Sequence, residues 1–482
     1  MLEKIKSLSK DTLIYGVSTI AGRFLNFLLV PLYTNIFPPG EFGVVANVFA
    51  YIAILNVFFT IGLESGYFKF ASTLEVGDEK ENFTHPFLGI FFNSLVLSLI
   101  LFLFSGDFSY VFQVDVSRQI LIKYTAVILF FDAVAIVPFA YLRLKTKPKL
   151  FATIKFINIL INVIGNIVLI LFLKHGIEAV FISNIIASVV TVILLLPVIV
   201  SNFEISFNKK LISELLRFSL PHIPSGISSN IVQVINRPIL TALTNDTTVG
   251  IFQANYRLGI FMMLFVSMFE FAWRPFFLNN AKLPDAKKLF AKVMTIFVLA
   301  ASFIFIILTL FIEDIATFKI PFKGYLIGKA YWGGLDVVPL VLMAYLFYGI
   351  YINLMAGIYI EKKTKYLPVI TGSAAVINIV FNFLLIPVYG IMGAGITTLI
   401  SYFTMAVGIY IVAQKYYYIK YDYLKILFIF VCTLLTVILF YSLKDSIQFL
   451  LLYKVILAVF FLLLTFLFKV IDIKTLRKVM SV

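Results

Sequence analysis

Six basic residues lie within long apolar stretches of the chain: Arg23, Lys123, Lys155, Arg237, Arg257 and Lys454. A guanidinium at the centre of a membrane-spanning helix costs about 2.5 to 3.5 kcal/mol on insertion scales, so each arginine needs a compensating partner. Arginine is planar, permanently charged and able to donate two parallel hydrogen bonds, which suits it to phosphate. Arg23, Arg237 and Arg257 are therefore the candidates for gripping an anion, whereas the lysines can extend their stems to the membrane interface. Neutral donors accompany them: Asn26 shares a helical face with Arg23, Gln233 precedes Arg237 by one turn, and Gln253 precedes Arg257 by one turn. The alternative is structural, each arginine being locked by a carboxylate, with Asp132, Glu64 and Glu270 the acids available.

The first apolar stretch places Thr19, Gly22, Arg23, Asn26, Val30 and Tyr33 on one stripe, and a later one does the same with His222, Ser225, Ser229, Gln233, Asn236 and Arg237. Polar faces of this kind lose free energy against lipid, so the spacing predicts that both line a wet cavity. Glu64 and Glu270, at the ends of two other stretches, suit an inner gate with Lys69 or Arg274, or else simply rest among headgroups. Asp132 is a candidate ion or proton site. Cys432 is alone, and His85, His175 and His222 have no metal-ligand spacing, so neither a metal nor a cofactor is expected.

The elements that must position these residues are membrane helices. At 61% hydrophobic and 13% charged, with a mean hydropathy of +1.03, the chain has too few polar groups to clothe a soluble domain. Fourteen spans are predicted, at 12–36, 44–68, 86–105, 120–141, 150–173, 177–200, 218–243, 250–273, 289–312, 334–360, 367–386, 391–413, 424–443 and 447–468. Laid out this way, with Lys292 and Lys425 counted at the ends of their spans, 27 of the 39 Lys and Arg fall on one side and 6 on the other. The positive-inside rule then puts both termini in the cytoplasm. Residues 1–12 are basic and precede an apolar run too long for a signal peptide, so they lead into the first span uncleaved. The segment from Glu313 to Asp336, with Lys319, Lys323, Lys329 and Trp332, is expected to lie in the outer interface. The connector 202–217 carries Phe207, Leu211 and Leu215 at intervals of four, an amphipathic helix on the cytoplasmic face.

A weak repeat underlies this layout. Pro31 and Gly43 recur as Pro238 and Gly250 at an offset of 207; Asn162-x-x-x-Asn166 recurs as Asn378-x-x-x-Asn382 at 216; and Gly176 recurs as Gly390 at 214. Six spans per copy is an even number, so the copies enter the membrane in the same sense. The expected architecture is all-α and polytopic: a six-helix lobe at 1–201, the connector at 202–217, a second six-helix lobe at 218–413, and helices 13 and 14 with a tail at 414–482, the lobes flanking a central cavity. The asparagines read as interhelical hydrogen bonds.

Gly22-Arg23-Phe-Leu-Asn26-Phe-Leu-Leu-Val-Pro31-Leu-Tyr33-Thr34, then Glu41-Phe-Gly43 and Gly62-Leu-Glu64-Ser-Gly-Tyr-Phe-Lys69, resemble the opening of bacterial polysaccharide-biosynthesis flippases, the Wzx-type members of the multidrug/oligosaccharidyl-lipid/polysaccharide exporter superfamily. The segments from Asn378 to Gly395 and from Ala272 to Phe276 resemble later helices of the same family. The resemblance implies translocation of an undecaprenyl-diphosphate-linked oligosaccharide to the outer leaflet of the bacterial inner membrane by alternating access. Arg23, Arg237 and Arg257 would engage the diphosphate and sugar, and a polymerase and chain-length proteins would be partners. A lipid II flippase or a multidrug antiporter of the same superfamily is the alternative. An enzyme such as a membrane glycosyltransferase or polymerase is remoter, since acid/base groups and a large outer loop are lacking.

Overall fold

The computed structural model describes residue 16, residue 20, residues 22–320 and residues 324–468. The described residues are all-α apart from a short antiparallel pairing of Lys319–Ile320 with Gly324–Tyr325. Among the described residues twelve helices are long and apolar enough to cross a membrane: Pro39–Thr60, Glu79–Leu103, Ile120–Leu144, Pro148–Phe172, Glu178–Asn202, Asp246–Asn280, Ala286–Ala316, Lys329–Ile360, Thr364–Tyr389, Ile391–Tyr416, Tyr423–Ser446 and Leu450–Leu467. Each corresponds to one predicted span. Helices are the expected outcome, because inside hydrocarbon every backbone N–H and C=O must be satisfied within its own segment.

Of the two other predicted spans, 12–36 lies partly outside the described residues, and 218–243 is divided in two. Helix Ile223–Val234 stops at Ile235, and helix Asn236–Leu243 follows. In the first span, residues 22–27 are helical, Leu28 is a turn, and Leu29–Ile36 resumes. Each break lies three residues before a proline, Pro31 or Pro238, whose missing N–H and bulky ring disturb the preceding turn. The backbone is the same at both, φ −62° and ψ −16° at Leu28 and φ −64° and ψ −21° at Ile235. These positions are 207 residues apart, the offset already seen for the prolines.

The repeat is equally plain in the turns between helices. Thr146 and Lys362, 216 residues apart, both adopt a left-handed backbone, φ 49° and φ 53°. In each case the next residue's N–H reaches back five residues at 2.8 Å, Lys147 to Leu142 and Lys363 to Ile358. Lys174 and Gly390 are likewise left-handed, each with φ 53°, so the conformational partner of Gly390 is Lys174 and not Gly176. A π-helical stretch, Val168–Phe172, precedes Lys174 and shifts the register.

Two compact units make up the chain, residues 1–254 with 375–394 and residues 255–374 with 395–482. In the first, the sharpest approach is between helix Pro39–Thr60 and helix Asp246–Tyr256. A Cβ on Gly43 would lie 1.8 Å from the Asp246 carbonyl oxygen, and one on Gly250 would lie 1.9 Å from the Pro39 carbonyl oxygen. The contact is symmetric, since each glycine faces the residue four before the other. Only a residue without a side chain allows backbones this close.

The connector helix runs Lys209–Ser219, capped by the Asn208 side chain, which accepts from the Leu211 N–H at 3.1 Å. Leu211 and Leu215 are buried as the amphipathic pattern requires, but Phe207 is 81% exposed because the helix begins after it. Asn208 also donates its backbone N–H to His85 Nε2 at 3.0 Å, while His85 Nδ1 bonds the Glu81 carbonyl at 2.8 Å. In this arrangement Nε2 accepts and Nδ1 donates.

In the second unit, Lys454 does not extend to the interface as its stem would allow; it is 2% exposed and paired with Asp314, beside Phe311 and Phe440. Lys444 bonds the adjacent Glu313 at 3.0 Å. Helices Tyr423–Leu443 and Leu450–Leu467 are thus pinned to the end of Ala286–Ala316 by two neighbouring carboxylates. In the segment predicted to lie at the interface, Trp332 Nε1 donates to the Ile327 carbonyl at 2.8 Å and its ring meets Tyr325 at 5.0 Å. Lys323 lies outside the described residues, as do all of residues 1–12.

Candidate functional site

Arg237 lies two residues after the break at Ile235, in the first turn of helix Asn236–Leu243. It is 6% exposed. Its Nε donates to Gln253 Oε1 at 2.8 Å, and its Nη1 donates to the Gln233 backbone carbonyl. Two bonds from different edges fix the plane of the guanidinium, and both acceptors are neutral. Three residues chosen from sequence, Arg237, Gln233 and Gln253, therefore meet in the first unit. Gln253 joins Arg237, although sequence spacing associated it with Arg257.

A buried amide network adjoins this arginine. Asn382 Nδ2 donates to Asn236 Oδ1 at 2.9 Å and to Asn378 Oδ1 at 2.7 Å, and Asn236 Nδ2 donates to the Ala394 carbonyl at 3.3 Å. The first repeat uses the same motif against its own broken helix: Tyr33 donates its hydroxyl to Asn166 Oδ1 at 2.9 Å, and Asn166 Nδ2 bonds the Asn162 carbonyl at 2.8 Å. In both repeats an Asn-x-x-x-Asn pair ties its helix to the segment following the proline break. These bonds position the broken helices, as interhelical asparagines should.

Arg23 and Asn26 are exposed on the helical residues 22–27, next to Gly22, whose missing Cβ would lie 2.9 Å from Ile159 Cδ1. Arg257 opens a single 3-10 turn, Arg257–Gly259, that interrupts the span Asp246–Asn280; it is half-buried and belongs to the second unit. A glycine follows at position 259, where a Cβ would meet Val341 at 2.7 Å.

The acids find partners that spacing did not reveal. Glu64 pairs with Arg143, not with Lys69, and Arg143 also lies 4.9 Å over the Phe68 ring. Lys69 instead sits over the rings of Phe70 and Phe218, at 4.6 and 4.7 Å. Asp132 Oδ1 accepts from the Ser188 hydroxyl at 2.6 Å. Lys155, on the next helix, rests 4.3 Å over Phe139. Arg274 donates to the Tyr359 hydroxyl at 3.0 Å and stacks on that ring, while Glu270 is half-buried one turn earlier. Arg143 and Ser188 were missed; Arg143 carried a signal, being the one arginine of the basic turn between spans four and five.

A polar cleft of about 640 Å³ opens beside the Gly43–Gly250 contact, lined in part by Glu41, Asp115, Arg118 and Asp246. The Ser117 side chain and its backbone N–H, at 2.8 Å, hold the exposed Asp115 carboxyl below its usual range.

Residues 8–281 match the family described as "Polysaccharide biosynthesis protein". No curated protein matches the chain. Among solved structures the chain is similar to "Lipid II flippase MurJ, inward closed conformation", at 16% identity and a TM-score of 0.76, over 95% of this chain and 99% of that one. It is also similar to an inward-facing multidrug resistance MATE family transporter of the MOP superfamily, at 16% identity and a TM-score of 0.62, over 84% and 97%. The MATE transporter VcmN of Vibrio cholerae follows at 14% identity and 0.55, over 86% and 96%. The fold is that of the MOP-superfamily transporters.

Proposed function

Because the chain belongs to the polysaccharide biosynthesis protein family, we propose that it is a flippase carrying an undecaprenyl-diphosphate-linked oligosaccharide from the inner to the outer leaflet of the bacterial cytoplasmic membrane by alternating access. The observation that carries this reading is Arg237, buried at a helix break and oriented by the neutral groups of Gln253 and Gln233. The planar, doubly donating fork of an arginine suits a phosphate. In this scheme Arg23, Asn26, Arg237, Gln233, Gln253 and Arg257 engage the diphosphate and the first sugars. Glu64, Asp132, Glu270 and Arg274 gate the path or couple it to an ion. Both termini lie in the cytoplasm, and a polymerase and chain-length proteins receive the product.

The test is complementation of a strain lacking its own repeat-unit flippase. Arg237→Ala and Arg23→Ala should abolish surface polysaccharide at unchanged protein level, and the lysine variants should restore part of it. Full activity of both alanine variants refutes the reading. A lipid II substrate is the second reading, favoured by the extent of the likeness to the lipid II flippase; rescue of cells depleted of their lipid II flippase selects it.

A further inference from the structure

The two copies of the basic turn share one backbone and differ in how their charges are handled. In the first, Arg143 pairs with Glu64, Lys145 pairs with Glu79 at 2.5 Å, and a single lysine, Lys147, lies 5.5 Å from the centre of the Tyr141 ring. In the second, the position of Arg143 is held by Tyr359, and among the described residues no carboxylate lies within ion-pair distance of Lys363, Lys365 or Lys415. Aromatic rings hold these ammonium groups instead. Lys363 and Lys415 lie 4.9 and 5.8 Å from the centre of the Tyr416 ring, and Lys365 lies 5.5 Å from that of Tyr366. The two phenols hydrogen-bond to one another at 2.6 Å, with ring centres 5.5 Å apart. Nearby, Lys287 sits 4.8 Å over Tyr417.

Cation–π contact at an exposed site restrains an ammonium without neutralising it. Three positive charges are thereby gathered on a tyrosine pair tying the start of Thr364–Tyr389 to the end of Ile391–Tyr416. Both ends lie on the side of the basic loops, where a membrane's headgroups meet the protein. Tyrosine hydroxyls and lysines at that depth match the phosphoryl group of an anionic lipid. We propose that Lys363, Lys365 and Lys415 on the Tyr366–Tyr416 platform form a binding site for the phosphoryl headgroup of an anionic membrane lipid. The site is independent of which cargo the protein carries.

The experiment uses the full-length protein in detergent with an equimolar mixture of phosphatidylglycerol and phosphatidylcholine, lipid retention being read by native mass spectrometry. The wild type should retain phosphatidylglycerol preferentially. A lysine near a charged lipid surface changes affinity about fivefold, so the triple variant K363Q/K365Q/K415Q should lower that retention about a hundredfold, and the triple arginine variant should keep it. The matched control K145Q/K147Q/K149Q, in the first copy of the turn, where Lys145 is paired with Glu79 and no phenol pair gathers the charges, should lower retention far less, by about fivefold or under. Equal loss in the control overturns the proposal in favour of unspecific charge. Equal retention of phosphatidylcholine by the wild type overturns it as well, and displacement of the lipid by micromolar inorganic phosphate assigns the site to a free anion and overturns the lipid assignment.

Discussion

Substituting either member of the Gly43–Gly250 contact tests a close approach of two helix backbones. A methyl group at Gly43 would stand 1.8 Å from the Asp246 carbonyl oxygen and 2.7 Å from its carbon. Carbon–oxygen contacts between packed helices settle at about 3.3 Å or more, so the helices must separate by roughly 1.5 Å at this point. The obstacle is backbone on both sides, with no side chain to rotate aside, so Gly43→Ala should cost about 3 kcal/mol, the upper end of overpacking penalties. Gly250→Ala opens the same contact against Pro39, and the double variant should therefore cost much less than the sum of the two. Separation itself can be read with cysteines. A Cβ on Gly40 would lie 3.3 Å from Thr247 Oγ1, which brings G40C and T247C close to the spacing of a disulfide, about 3.5 to 4.5 Å between Cβ atoms. Cys432 is buried and does not compete. The pair should cross-link on mild oxidation, and adding Gly43→Ala should sharply reduce the yield. If Gly43→Ala leaves both the thermal midpoint and the cross-link unchanged, the reasoning is refuted.

Three further outcomes follow from the geometry. Asp314→Ala should destabilise the protein by roughly 1 to 3 kcal/mol, less than a fully buried pair because Asp314 is half exposed, while Lys454→Met, which removes the buried charge, should be close to neutral; thermal unfolding distinguishes the two. His85→Phe deprives the Asn208 N–H of its acceptor and should loosen the connector by about 1 to 3 kcal/mol, seen as faster protease cleavage between Phe203 and Asn208. A reporter fused after Lys149 should be cytoplasmic and one after Asp246 external; the reverse result would overturn the assignment of sides.

Membrane helices were legible in the sequence because apolar length alone decides them, and twelve of the fourteen predicted spans are found among the described residues where hydropathy put them. The repeat was legible at Pro31 and Pro238, at Gly43 and Gly250 and at the paired asparagines, because such residues have few physical roles. Partners were not. Glu64 and Arg143 are 79 residues apart and Lys454 and Asp314 are 140 apart; helical periodicity fixes the face a side chain occupies, but not which helix lies opposite. Gln253 is the instructive case. Its one-turn spacing from Arg257 suggested a shared task, yet its side chain is bonded to Arg237.

The placement of the proline breaks connects this packing to the proposed transport cycle. Leu28 and Ile235 interrupt the first and seventh segments just before the residues that the asparagine pairs grip, so each broken helix has one part fastened by Asn166 or Asn382 and another joined to it only through a weakened turn. Arg237 lies on the fastened side of its break, and the exposed Gln233 lies on the other. A swing about Ile235 would then alter the Arg237–Gln233 bond while preserving Arg237–Gln253. Removing the break should uncouple these events: Pro238→Ala restores a backbone hydrogen bond and should stiffen the helix, raising thermal stability while lowering polysaccharide export in the complementation assay. A Pro238→Ala protein that exports normally would show that the break serves packing alone.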